Sequence, residues 1–316
     1  MSYSQPGLKR KLKNFGKQTF RNLFEIAQGF GINILPIHFY SEIPNIKELR
    51  QEEDWKQPHS MIGVKGKEIE TQLAFVRECC GEALQERLKK GDIYSDACST
   101  NGELGYGPIE ADFLFCFIYS KRPKRVVQVG CGVSTAVMML ASQEADYELE
   151  ITCIEPYPTE FLKKYNQLGK LTLISEKAQK VPLNILTDLG ENGLLFIDST
   201  HTVKPGSEVN RLILEVLPQL KPGSYVHFHD IYFPYDYKRE LLTKDLFFPN
   251  ESVLLHAFLI NNHSYLLKTS LSMLHYATPN DLQKLLPNYK PNPNQFGLEV
   301  EDAQAHFPSS TYIQVI

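Results

Sequence analysis

The sequence predicts an α/β fold in which a mainly parallel sheet is doubly wound by helices, and three observations carry that prediction. From Arg125 onward, short apolar runs (RVVQVG, ITCIEP, LTLIS, LLFID and SYVHFHD) alternate with segments of helical spacing such as Leu212 to Leu220. Strands of about five residues alternating with helices point to a parallel sheet covered on both faces. The first run passes through a Gly-x-Gly turn into a helix start. The segments HSYLLK and STYIQVI are strand-like, and the second places the end of the sequence inside the sheet.

Taken in order, the elements begin with a basic head. Residues 1 to 24 hold six cations (Lys9, Arg10, Lys11, Lys13, Lys17, Arg21) and no acid. Leu8, Leu12, Phe15, Phe20, Leu23 and Phe24 fall on one side of a helical wheel and the cations on the other. Gly16 weakens such a helix by ~1 kcal/mol. Three readings stay open: packing on the body or on a neighbouring subunit, which is preferred, peripheral contact with an anionic membrane surface, or a lid over a ligand crevice. Up to Arg87, helical stretches mix with irregular, Pro-rich and charged ones. Ile69, Leu73, Val76 and Leu84 fall near a 3.6-residue period, which predicts a helix over Lys67–Lys89 with Gly91 as its stop. A looser stretch follows through Asn101-Gly102 and Gly105-Tyr106-Gly107-Pro108, then a helix over Ile109–Tyr119.

At 316 residues the chain has room for roughly two domains of ~150 residues. Its 42% hydrophobic and 22% charged content is that of a globular protein. No apolar run reaches the ~18 to 20 residues of a membrane-spanning helix. The net charge of −4 conceals a body at −10 from Glu25 onward. An acidic body is a poor nucleic-acid binder, because phosphate affinity needs clustered Lys and Arg. The six cysteines include no C-x-x-C pair, and the start MSYSQPGLKRKLKNFG lacks a secretory pattern, so a cytoplasmic setting is expected.

In RVVQVGCGVSTAVMML, Gly130, Cys131 and Gly132 form the turn between strand and helix. Glycines let the backbone approach a ligand, and helix N-terminal amides face its polar groups. The third glycine of the dinucleotide fingerprint is missing, since Thr135 stands in its place, which favours a smaller adenosyl ligand over NAD. Glu155 ends the next run, ~20 residues on, where an acid accepts hydrogen bonds from both ribose hydroxyls.

The glycine loop, Glu155, LLFIDSTHTVKPGSEV and VHFHDIYFPYDY resemble the class I S-adenosylmethionine-dependent methyltransferases, and more narrowly a bacterial group of the Methyltransferase-24 type. The likeness extends upstream to IHFYSEIPNIKEL and YGPIEADFLFCFI and downstream to STYIQVI. It implies a Rossmann-like, seven-stranded sheet whose last strand is antiparallel. The methyltransferase domain would occupy 106–316, with 1–105 as a mostly helical N-terminal cap. S-adenosylmethionine would be the cofactor, its methionine end near Gly130, Cys131 and Gly132 with Ser134 and Thr135 beside it. Gln128 stands where the family usually has an acid facing the cofactor's ammonium group. Either affinity is lower or another acid, such as Asp112 or Asp198, supplies the charge.

Asp198, His201, His229 and Asp230 follow the last two apolar runs, and strand C-termini converge on the crevice of an open parallel sheet. Methyl transfer to a hydroxyl requires its proton to be taken or the developing alkoxide to be stabilised. His201, His229 and Asp230 are the expected catalytic residues, and Asp198 is also expected at the cofactor. Asp198 and Asp230 match metal-binding acids of catechol-type O-methyltransferases, where Asn or Asp follows the second acid. Here Ile231 follows, so a Mg2+-like ion would need His201 or His229 as a further ligand. His227 is expected to be a hydrogen-bonded core residue, and Ser207 to cap the helix after Asp198. Tyr232, Tyr235, Asp236 and Tyr237 would overhang the crevice, while His256, His263 and His275 have no metal-ligand spacing. The expected activity is methyl transfer to a small-molecule acceptor, most simply at oxygen, with a homo-oligomer left open. The alternatives are a nicotinamide-dependent oxidoreductase and a non-catalytic adenosyl-ligand-binding protein.

Overall fold

The computed structural model describes residues 8–235, 242, 245–291 and 307–316. The chain forms two compact units, Met1–Glu52 and Glu53–Ile316. In the first, helix α1 (Leu8–Gly29) runs unbroken through Gly16. Of its cations, Lys17 and Arg21 are exposed, and Arg21 pairs with Glu25 at 2.9 Å, a surface contact worth little. Phe30, Ile37, Phe39 and Tyr40, beyond the helix, are exposed. Among the described residues no helix is long and apolar enough to cross a membrane.

The second unit opens with helices α2 (Ile69–Cys79), α3 (Glu82–Leu88) and α4 (Ile93–Asn101). The single helix expected over Lys67–Lys89 is therefore two. Cys80 leaves helical geometry (φ −105°, ψ 60°), and Gly81 starts the next helix from an extended conformation. Residues 53–105 lie in the same compact unit as the sheet. The reason is apolar: Leu73, Val76, Leu88, Ile93 and Ala97 join the core on one face of the sheet.

Helix α5 (Pro108–Lys121) is buried at every position from Ile109 to Ile118, which explains why its sequence has no polar face. Pro108 starts it, where a missing N–H costs nothing. The strands are β1 (Arg125–Val129), β2 (Glu150–Ile154), β3 (Thr172–Ile174), β4 (Leu194–Ile197), β5 (Tyr225–Phe228), β6 (Tyr265–Ser270) and β7 (Thr311–Val315). Their order is β3-β2-β1-β4-β5-β7-β6. The pairs β3-β2-β1-β4-β5 are parallel, and β7 runs antiparallel to both β5 and β6. The doubly wound, mainly parallel, seven-stranded sheet is thus present.

Alternate strand residues serve opposite cores. Phe196, Tyr225 and Tyr312 face α5 and helix α6 (Val133–Glu144), while Leu195, Ile197, Val226, Phe228 and Ile313 fill the other side. The helical spacing of Leu212 to Leu220 becomes a π turn (Leu212–Val216) and a 3-10 turn (Leu217–Gln219), because Pro218 lacks an amide donor. The strand order reverses direction between β1 and β4. That switch point opens a crevice beyond the strands' C-terminal ends.

Candidate active site

Both walls of the crevice begin at the β1–β4 contact. Gly130 has φ +78°, and a Cβ there would sit 1.7 Å from the carbonyl oxygen of Asp198, so glycine is required. The Asp198 amide donates to the Val129 carbonyl at 2.9 Å, carrying the parallel pairing one step past β4.

Gln128 is not among the residues that line the pocket. It is wholly buried; its Nε2 donates to the Gly130 carbonyl (2.9 Å) and Ser134 Oγ (2.8 Å), and its Oε1 accepts from Thr135 Oγ1 (2.8 Å). Thr135 Oγ1 in turn accepts from the Gly132 amide at 3.1 Å. Gln128 and Thr135 therefore stand behind the loop and hold its shape. In front, Gly130, Cys131, Gly132, Ser134, Glu155 and Asp198 line a pocket of about 270 Å³. Glu155 is aimed by two backbone donors, the amides of Cys131 (3.2 Å) and Tyr157 (2.9 Å). Asp112 is elsewhere: it accepts from Asn288 Nδ2 at 2.9 Å, and burial pushes its pKa up to about 7. Of these two aspartates, Asp198 lines the pocket.

The opposite wall went unpredicted. It consists of Asn101, Glu103, Leu104, Gly105 and Tyr106, with Tyr157 and Thr159 beside it. Thr159 Oγ1 donates to Asn101 Oδ1 at 3.1 Å, tying this wall to the one after β2. The Asn101-Gly102 and Gly105-Tyr106-Gly107 pattern was the available signal, and it read only as a loop.

Asp198, His201, His229 and Asp230 gather as expected. His201 (φ +56°) and Asp230 (φ +52°) both take the left-handed conformation, which non-glycine residues rarely adopt and which collects at functional sites. His201 Nε2 lies 3.4 Å from Asp198 Oδ1 and 3.9 Å from Asp230 Oδ2. Its Nδ1 is 2.8 Å from Oε2 of Glu251, a residue the sequence did not single out. Burial works against a charged His201, but hydrogen bonds to Asp198 and Glu251 and the charge of Asp230 hold its pKa well above the usual value.

Asp230 Oδ1 accepts from Ser309 Oγ at 2.8 Å and lies 3.6 Å from His229 Nε2. Ser309 also donates from its amide to Glu110 Oε1 at 2.9 Å. Burial lowers the His229 pKa, yet Asp230, Asp198 and Glu110 together raise it above its ordinary value. Burial and its neighbour His229 push His227 well below that value. His227 is the expected core residue: it bonds Ser310 Oγ at 2.9 Å and stacks on Phe196. Tyr106 joins the two halves of the site. It lines the pocket, its hydroxyl lies 3.2 Å from His227 Nε2, and its ring centroid is 4.7 Å from that of His229.

The metal expectation does not fit. Among the described residues no group of three or more His, Cys, Asp or Glu side chains is arranged to hold a metal ion. Asp198 and Asp230 turn oxygens toward His201 Nε2 instead, and Ile231 is buried in the core. Ser207 caps its helix as expected, accepting from the Asn210 amide. Tyr232 is buried and Tyr235 packs on Tyr276, while Asp236 and Tyr237 lie outside the described residues.

Residues 127–231, spanning β1 to the tip of β5, match the methyltransferase-domain family Methyltransf_24. This match makes the glycine-loop half of the sheet similar to a methyltransferase domain. An uncharacterised protein of Archaeoglobus fulgidus is 29% identical over 188 residues, covering 56% of this chain and 80% of that protein. Among solved structures, the S-adenosylhomocysteine-bound methyltransferase PaMTH1 of Podospora anserina aligns at 15% identity with a TM-score of 0.34, over 75% of this chain and 88% of its own. The O-methyltransferase TomG of Streptomyces achromogenes, solved with S-adenosylmethionine, aligns at 14% identity with a TM-score of 0.40, over 71% and 89%. The matched span contains both the glycine loop and Asp198, His201, His229 and Asp230.

Proposed function

We propose that this methyltransferase acts on a small molecule and transfers the methyl group to an oxygen. One observation carries the reading: Asp198 belongs at once to the glycine-loop pocket and to the Asp–His cluster. A cofactor in that pocket would present its reactive end to groups that can receive a proton. The glycine loop, the aimed Glu155 carboxylate and the acidic Asp198 fit S-adenosylmethionine, a ligand with ribose hydroxyls and a cationic amino-acid end. When bound, it supplies an electrophilic methyl group.

The remaining chemistry belongs to the chain. Glu155 accepts the ribose hydroxyls, and Asp198 answers the ammonium charge that Gln128 does not. Asp230 would orient the acceptor hydroxyl, and His229 in its neutral form would take the hydroxyl proton as the oxygen receives the methyl group, whose bond to sulfur breaks to leave the neutral thioether S-adenosylhomocysteine. His201, its pKa raised by hydrogen bonds to Asp198 and Glu251 and by the charge of Asp230, sits between the two aspartates. Deprotonating groups of this kind suit a hydroxyl acceptor, and the acidic body disfavours nucleic acid as the substrate.

Calorimetric titration of the full chain with S-adenosylmethionine, S-adenosylhomocysteine and NAD tests the reading. Both adenosyl-sulfur compounds are expected to bind and NAD is not. Binding of NAD alone would overturn it in favour of an oxidoreductase.

A further inference from the structure

Glu251 opens helix α7 (Glu251–Leu259), 50 residues beyond His201 in sequence and outside every motif of the methyltransferase pattern. It is 1% exposed, yet it carries a carboxylate. One oxygen meets His201 Nδ1 at 2.8 Å, and the other is buried without a hydrogen-bond partner. An unpaired buried carboxylate oxygen disfavours the fold, so packing does not account for an acid at this position.

The backbone repeats the connection. The amides of Asn250 and Glu251 both donate to the His201 carbonyl, at 2.9 and 3.2 Å. The Asn250 side chain also accepts from the Val203 amide. The loop that holds His201 in its left-handed conformation is therefore strapped to the start of α7 through main chain and side chain together.

We propose that Glu251 is a positioning residue of the methyl-transfer site, fixing His201 with its proton on Nδ1 and aiming Nε2 between Asp198 and Asp230. A carboxylate at Nδ1 accepts only from an N–H, so one contact keeps that proton in place and fixes the ring orientation. It does for His201 what the orienting carboxylate does in a nucleophile–base–acid triad, with Nε2 directed at Asp230 and at Asp198, which lines the pocket. The catalytic consequence rests on the methyltransferase reading; the Glu251–His201 geometry does not.

The test uses the full chain with labelled histidine and two variants. In the wild type, NMR is expected to show a slowly exchanging, downfield Nδ1 proton, assigned to His201 by its loss in His201→Ala. Glu251→Ala is expected to abolish that signal. Glu251→Gln, isosteric and still an acceptor, is expected to keep the signal but move it upfield. In methyl-transfer assays, kcat should fall about 30-fold in Glu251→Ala and about fivefold in Glu251→Gln, with KM for S-adenosylmethionine within about twofold. An unchanged His201 signal in Glu251→Gln, or an unchanged kcat in either variant, would overturn the proposal. If no methyl transfer occurs with any acceptor, the methyltransferase reading fails, while the proton signal still decides whether Glu251 sets His201.

Discussion

The two halves of the site differ in how far apart their parts lie in the chain. The glycine-loop half is local: Gln128, Gly130, Gly132, Ser134 and Thr135 bond to one another across seven residues, and Glu155 reaches back from the neighbouring strand. The Asp–His half is assembled from distant segments. Glu110, Asp198, His201, Asp230, Glu251 and Ser309 meet only once α5, β4, β5, α7 and the approach to β7 are in place. One half is shaped by backbone and neutral hydrogen bonds, the other by buried charge on strained backbone. The first is suited to holding a ligand, and the second to moving a proton.

That division can be broken by experiment. The largest effect is expected from Asp230→Ala, which should reduce turnover about 10³-fold while leaving cofactor affinity within about threefold. Full activity in steady-state assays would place the proton chemistry elsewhere. Next comes Glu155→Ala. Losing two charge-assisted hydrogen bonds should weaken cofactor binding by about 10- to 100-fold, with kcat at saturation nearly unchanged. A matching fall in kcat would show that the two halves are not separable. The smallest effect is in the pH profile. Only neutral His229 can accept a proton, and its surrounding carboxylates raise its pKa above 6.5. Hence kcat should rise with pH and level off only above 6.5. An inflection at or below that value would remove His229 from the base role.

The same contrast explains what was legible in the sequence. A strand, a Gly-x-Gly turn and a helix are contiguous, so the loop, Glu155 and the strand-end positions of Asp198 and Asp230 could be read directly. What Gln128 and Thr135 do could not, because the family position suggests a ligand contact while the side chains turn inward. Glu251 and Glu110 were invisible for another reason. Each looks like an ordinary helix-start acid, and only tertiary packing brings it to a histidine or a serine amide. The break at Cys80-Gly81 was missed because the apolar spacing on both sides of it stays in phase with one helix. The expected metal pair lacks a further ligand, since among the described residues no group of three or more His, Cys, Asp or Glu side chains is arranged to hold an ion.

The position of β7 has a temporal consequence. It is the last strand in sequence but lies between β5 and β6, so those two strands have no partner between them until residues 311–315 have left the ribosome. Ser309 and Ser310, which bond Asp230, Glu110 and His227, arrive with it. During synthesis, then, the glycine loop can form early while the proton-handling half waits for residues 309–315. An incomplete nascent chain could hold its ligand pocket, but it would lack the serines that seat its carboxylates.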